Sequence, residues 1–255
     1  FDTEDSGTVI LDSTPFAAAS ASGQAVVLWS RGISGSGIPY RIWARRFSPD
    51  VGWSDAGPVF EGDGGDEAAP AAAIDGFGNV VAVWRRAVGG FGTTWSARFA
   101  VDGGWSAPAP LQTELSRVTG SARIAANASG DAIVAWIEYD GGSSGRVWSN
   151  RFFPGSGWLG EVLLDQTGNF ASLQADVVID PRGNAYVAWD DSPGWPAPFL
   201  VWISRFTADG GAAETRTLTQ SGDYPSVAVN AVGDVLALWS EFDGNGNTAY
   251  YSVCR

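Results

Sequence analysis

Gly78-Asn79-Val80-Val81-Ala82-Val83-Trp84 is the stretch on which the reading of this chain turns. A glycine opens it, a run of Val and Ala follows, and a tryptophan closes it, which reads as a strand entered from a tight turn. The same frame, a Gly, five residues and a Trp, returns at Gly23 to Trp29, Gly130 to Trp136, Gly183 to Trp189 and Gly233 to Trp239. Successive glycines stand 55, 52, 53 and 50 residues apart. A period of that size is one propeller blade.

Each period divides into four short strands. The first is small and apolar, as in Pro70 to Ile74 or Ala175 to Ile179. Three residues before each Gly stands Ser20, Asp75, Asn127, Asp180 or Asn230. That is type I turn chemistry, with the Gly supplying the positive φ that closes the hairpin. The third strand carries a second aromatic (Trp43, Trp95, Trp148, Trp202, Tyr250), followed in four copies by an Arg-Phe pair such as Arg46-Phe47. A Gly/Asp turn then leads to a third Trp in three copies (Trp53, Trp105, Trp158) and to strand four.

The fold expected is an all-β, five-bladed β-propeller with four antiparallel strands per blade, forming one domain over 1–255. The blades fall near 16–61, 68–113, 121–166, 173–220, and 225–255 together with 3–12. Thr8-Val9-Ile10-Leu11-Asp12 matches the pattern of Val162-Leu163-Leu164-Asp165. It is therefore expected to complete the fifth blade and close the ring, which removes sheet edges between the first and last blades.

Composition excludes several functions. All 15 basic residues are Arg, there is no His or Met, one Cys, and a formal charge of -13. That charge argues against nucleic-acid and anionic-membrane partners, and no apolar run is long enough to insert in a membrane. Without His there is no Ser-His-Asp triad, and one Cys makes neither a disulfide nor a Cys-based zinc site. The acidic, Gly/Ser/Trp-rich composition leans towards a secreted or cell-surface location.

The run Gly-Asn-Val-Val-Ala-Val-Trp (78–84), then Trp-Ser-Ala-Arg-Phe (95–99) and Gly-Gly-Trp-Ser (103–106), resembles tandem repeats of exported bacterial proteins of unassigned function. That resemblance implies a propeller and export, and no activity. Ser48-Pro49-Asp50-Val51-Gly52-Trp53 is similar to a shortened Asp-box of sialidase-type propellers, a folding element whose Trp here comes two residues early. Five-bladed architecture resembles both tachylectin-type lectins and some furanoside-cleaving glycosidases, by analogy of fold alone.

Loops from strand two to three, and from strand four to the next blade, share one face and vary most between copies. Binding residues are expected there. Acids follow the strand-two Trp at Glu138, Asp190, Asp191 and Glu241, the residue type a glycosidase uses in pairs. The plainer reading is a solvated rim in which these acids pair with Arg31 and Arg86. Trp195, Tyr139, Tyr224 and Phe242, with Asp191 and Arg86, form the expected ligand-binding set, since aromatic faces stack on sugar rings. Asp140-Gly141-Gly142 and Asp243 to Asn247 could offer oxygen to Ca²⁺. Neither has the spacing of a calcium loop, so no cofactor or metal is expected. The repeated strand-three Arg is expected to serve the scaffold, pairing with turn acids such as Asp50, Asp102 and Asp209.

The leading expectation is an exported, non-enzymatic, lectin-like module that binds a glycan. One alternative is a glycoside hydrolase built on a carboxylate pair from Glu138, Asp190, Asp191 and Glu241. Another is a cell-surface scaffold domain whose partner is a surface protein.

Overall fold

The computed structural model describes residues 10–33, 37–62, 65–88, 90–115, 117–139, 145–165, 174–192, 197–211, 214–242 and 247–254. Five antiparallel sheets follow one another along the chain. The first holds β1 (Ile10–Ala19), β2 (Ala25–Ile33), β3 (Arg41–Ser48), β4 (Gly52–Trp53) and β5 (Gly57–Pro58). The second holds β6 (Asp66–Ile74), β7 (Val80–Val88), β8 (Phe91–Ala100), β9 (Gly104–Trp105) and β10 (Ala109–Pro110). The third holds β11 (Val118–Thr119), β12 (Arg123–Ala126), β13 (Ala132–Tyr139), β14 (Gly145–Phe153) and β15 (Gly157–Leu163). The fourth holds β16 (Ala175–Ile179), β17 (Ala185–Asp191), β18 (Leu200–Phe206) and β19 (Glu214–Thr219). The fifth holds β20 (Gly222–Val229), β21 (Val235–Phe242) and β22 (Asn247–Cys254). These sheets are the five propeller blades that the repeats spell out.

The hairpin at the start of each repeat forms as its chemistry dictates. Gly78 donates its N–H to the Asp75 carbonyl, as Gly130, Gly183 and Gly233 do to Asn127, Asp180 and Asn230. All four glycines sit at φ between 90° and 94°, where a Cβ is strained. The Asp75 carboxylate also accepts the N–H groups of Phe77 and Asn79, so the turn residue is chosen for its side chain as well as its backbone.

Register places the strand-two Trp opposite the strand-three aromatic in every blade, for example Trp84 against Trp95 and Trp189 against Trp202. Successive side chains of a strand point to opposite faces, so each strand-two run supplies both neighbouring junctions. Trp84 faces blade one, packing with Val26, Leu28 and Ile42. Trp189 faces blade three, with Ile133, Ala135 and Leu164. The Phe after the strand-three Arg meets the turn Trp: Phe47 with Trp53, Phe99 with Trp105 and Phe152 with Trp158, all at 5.3–5.4 Å between centroids. The second and third of these pairs fill the outer part of the wedge between blades, where each meets an arginine of the preceding blade.

The repeated Arg serves the scaffold chiefly by bridging to the next blade, and Arg151 also feels the charge of the turn acid Asp209. Arg46 lies 3.4 Å from the centroid of Phe99 in the next blade, and Arg98 lies 6.0 Å from that of Phe152. Arg151 donates to the carbonyls of Gly183 and Thr207, also in the next blade. A guanidinium stacks on an aromatic face and bonds carbonyls at once, so it ties neighbouring blades together.

The ring closure expected of residues 8–12 differs from the structure. Ile10, Leu11 and Asp12 pair with Ile33, Gly32 and Arg31 of β2, extending the innermost strand of blade one. Thr8 and Val9 lie outside the described residues. The pairing has a charge reason, because it sets the Asp12 carboxylate 2.7 Å from the Arg31 guanidinium. Among the described residues the fifth sheet has three strands, and the first and fifth sheets lack the packing that joins every other neighbouring pair.

Candidate functional site

The position two residues after the strand-two Trp is occupied by Arg31, Arg86, Glu138, Asp191 and Glu241 in blades one to five. Alternation turns each towards the preceding blade, at the end of the strand where the variable loops begin. What it meets differs from junction to junction.

Arg31 and Arg86 are held within their own sheets. Arg31 takes both oxygens of Asp12, which lowers the Asp12 pKa. Arg86 stands 3.9 Å from Glu67 and 4.7 Å over the ring of Trp95. Glu67 is buried and accepts the Ile42 N–H at 2.9 Å. Burial pushes its pKa up, with that hydrogen bond and the Arg86 charge opposing. Arg86 is therefore buried against its own sheet at this junction.

At the junction of blades two and three, Glu138 accepts from Gln112 Nε2 at 3.3 Å and from Arg117 Nη1 at 2.8 Å. At the junction of blades four and five, Glu241 accepts from Thr219, Trp239 Nε1 and Ser221. Those bonds, the Thr219 hydroxyl first, lower its pKa. Asp190 points the other way, towards blade five. Its Oδ1 accepts the Gln174 N–H and its Oδ2 the Tyr224 N–H, 3.0 and 3.1 Å away. Tyr224 is itself a non-glycine residue at φ 53°, at the bulge of β20. Asp190 is a clasp between blades.

The junction of blades three and four is built differently. Leu111 and Leu164 make the same backbone bond to strand three of their own blades, to Thr94 and Val147, at 2.9 Å each. Gln112 and Asp165 are therefore equivalent residues in blades two and three. Where Gln112 hydrogen-bonds Glu138 across one junction, Asp165 lies near enough to Asp191 across the next for its charge to raise the Asp191 pKa. Both aspartates are buried, and Arg146 is 4.0 Å from Asp165 Oδ2 while also donating to its carbonyl. Asp191 Oδ1 accepts the Trp202 indole N–H at 3.1 Å. Burial pushes the Asp191 pKa up to about 6, helped by the charges of Asp165 and Asp190 and opposed by the Trp202 bond. Nearby Tyr139, half-buried at the end of β13, is raised as well, by burial first and then by Asp190.

Of the expected carboxylates, Glu138, Asp190, Asp191 and Glu241 thus fall at three different junctions, and Asp191 is the one whose pKa the charge of Asp165 raises. Its partner, Asp165, was not among the expected residues. The available signal was alignment: Asp165 follows the strand-four leucine where Gln112 does in the preceding copy. Of the expected ligand set, Tyr139 lies near Asp190, and Tyr224 is exposed on the neighbouring blade. Phe242 pairs with Asn247 at the end of its hairpin. Trp195 and the two glycine-rich Asp loops lie outside the described residues, apart from Asn247. Among the described residues no group of three His, Cys, Asp or Glu side chains is arranged to hold a metal.

No protein-family model and no curated protein matches the sequence. Solved structures do match in fold. A Hadza microbial sialidase superposes with a TM-score of 0.59 at 16% identity, over 94% of this chain and 56% of its own. The chain thus spans little more than half the length of that sialidase. Penicillium chrysogenum alpha-L-arabinanase, solved with arabinobiose, gives 0.57 at 14%, over 94% and 77%. A Fusarium graminearum alpha-L-arabinofuranosidase gives 0.54 at 11%, over 96% and 93%. At these identities the likeness establishes the propeller fold. It also corrects the leading expectation. These three propellers carry the names of glycoside hydrolases, which speaks against the non-enzymatic binding module expected of the sequence.

Proposed function

We propose that this chain is the propeller of a glycoside hydrolase whose acid and base are Asp191 and Asp165. The carrying observation is the replacement of a hydrogen-bonded Gln112–Glu138 pair at one junction by two buried aspartates at the next, the charge of Asp165 raising the pKa of Asp191. Two carboxyls in one buried place cannot both ionise freely, and their environments separate their roles. Asp191, with its pKa near 6, keeps a proton for the leaving glycosidic oxygen. Trp202 fixes Oδ1, leaving Oδ2 as the donor. Asp165, beside the Arg146 guanidinium, is the carboxylate that assists attack on the anomeric carbon. The substrate is an oligosaccharide or glycoside, and export of the chain belongs to the same proposal, since such substrates are met outside the cell.

The test is hydrolysis of a panel of chromogenic glycosides and oligosaccharides by the wild-type chain, Asp165→Asn and Asp191→Asn. Loss of roughly 10²-fold or more in kcat for each variant, with circular dichroism unchanged, is expected. Asn variants as active as the wild type would remove these residues from the chemistry.

A further inference from the structure

Among the described residues, blades two, three and four are covered on both faces by their neighbours, whereas the first and fifth are covered on one. The residue before the strand-two Trp shows it. Leu28, Val83, Ala135 and Ala188 are 0–1% exposed, and Leu238 is 42% exposed. So does the residue after the strand-three aromatic: Ala44, Ser96, Ser149 and Ile203 are at most 6% exposed, and Tyr251 is 70% exposed. On the far side, Trp53 is 47% exposed, and a cleft of about 530 Å³ opens beside it, lined by Pro15, Val27, Trp29 and Arg45. The equivalents of Trp29 at the inner junctions, Trp84, Trp136 and Trp189, are buried.

The hollow between blades four and five belongs to the same pattern. At the first two junctions the outer wedge is filled by Phe99 with Trp105 beside Arg46, and by Phe152 with Trp158 beside Arg98. At the fourth junction the equivalent arginine, Arg205, lines a cavity of about 540 Å³ with Tyr186 and Ile203. Blade five has Cys254 where the others have Phe.

We propose that these surfaces receive a continuation of the same repeat: a fourth strand along β22 bearing the turn Trp, and then a sixth blade seated between blades five and one. The chemistry of the occupant follows from the inner junctions. Its strand-three arginine lies on Phe47, as Arg46 lies on Phe99, and its strand-two Val/Ala/Trp run covers Leu238, Tyr251 and Val253. Direct contact of blades five and one would instead set Val253, which stands in the arginine position, against Phe47. A second copy meeting both faces would make a ring of ten blades, outside the usual four to eight. Uncovered apolar sheet faces of this size mark interfaces.

The experiment compares the 255-residue chain with the same chain extended after Arg255 by a copy of residues 101–153. That copy is one period long and supplies the Trp105 turn, a blade, and Arg151 for Phe47. The extended chain is expected to stay monomeric by light scattering and to gain roughly 5 °C or more in Tm. Its tryptophan fluorescence should also be less quenched by acrylamide. An extended chain that folds without that gain overturns the proposal. Should it not fold, the 255-residue chain decides. Tyr251→Ser is expected to leave Tm within about 2 °C, while Ile203→Ser at the equivalent buried position lowers it several-fold more. Equal losses from the two would show that blade five is already covered by blade one. A dimer that forms with rising concentration, lost in Tyr251→Ser, would place a second copy there instead. Either result overturns the proposal.

Discussion

Replacing Asp191 by Asn should stabilise the protein, and by an amount that depends on pH. Asp191 is lifted from the ordinary aspartate value of 3.8 to about 6 by burial and by two acidic neighbours. Below pH 3.8 the carboxyl is protonated folded or unfolded, so the site carries no penalty. Between pH 4 and 6 the unfolded chain releases the proton and the folded one holds it, and stability falls as pH rises. Above 6 the loss is complete. At 1.36 kcal/mol per pH unit, the full displacement is worth at most about 3 kcal/mol, and about 2 once relaxation around the charge is allowed for. Asparagine keeps an oxygen for the Trp202 indole and never ionises. The assay is urea unfolding of both proteins from pH 4 to pH 8. The difference, variant minus wild type, should be near zero at pH 4 and climb to about +2 kcal/mol by pH 7, or about 4–8 °C in Tm. A difference that is flat with pH, or that grows towards acid, would refute the placement of Asp191 in a buried acid pair. Gain of stability with loss of activity is what a strained catalytic group gives.

Three other substitutions probe the frame around that site. Gly130→Ala should cost about 1–2 kcal/mol in urea unfolding, because its φ of 91° is strained for any side chain. Asp190→Ala should cost about 2–4 kcal/mol, by orphaning the N–H groups of Gln174 and Tyr224 at once. Arg46→Met should cost about 1 kcal/mol through the lost stacking on Phe99, and that loss should shrink little in high salt because the partner is an aromatic face.

The fold was legible because its devices are local and repeated. Asp75 and Gly78 announce a turn three residues wide, and Val80 to Trp84 a strand, with no reference to the rest of the chain. The function of the strand-three arginine was half legible. Repetition marked it as scaffold, but its partner, Phe99 for Arg46, sits a whole blade away. Closure was misread for a related reason. Val-Ile-Leu-Asp suits a fourth strand, and it suits equally a first strand prolonged to the rim. Only the Asp12–Arg31 pairing separates the two. The site shows the same limit. Asp191 could be picked out by its place after Trp189, whereas Asp165 lies 26 residues earlier on another blade. Nothing in the local sequence marks it until the ring sets it near Asp191.

The most direct test of the central claim is reducing-sugar release by the wild-type chain from arabino-oligosaccharides, sialosides and other glycosides, followed from pH 4 to pH 8. The account predicts turnover of at least one class, with a rate that falls as pH rises through about 6 and Asp191 gives up its proton. A folded protein that releases nothing from any of them across that range, or one whose rate is indifferent to pH 6, would contradict it.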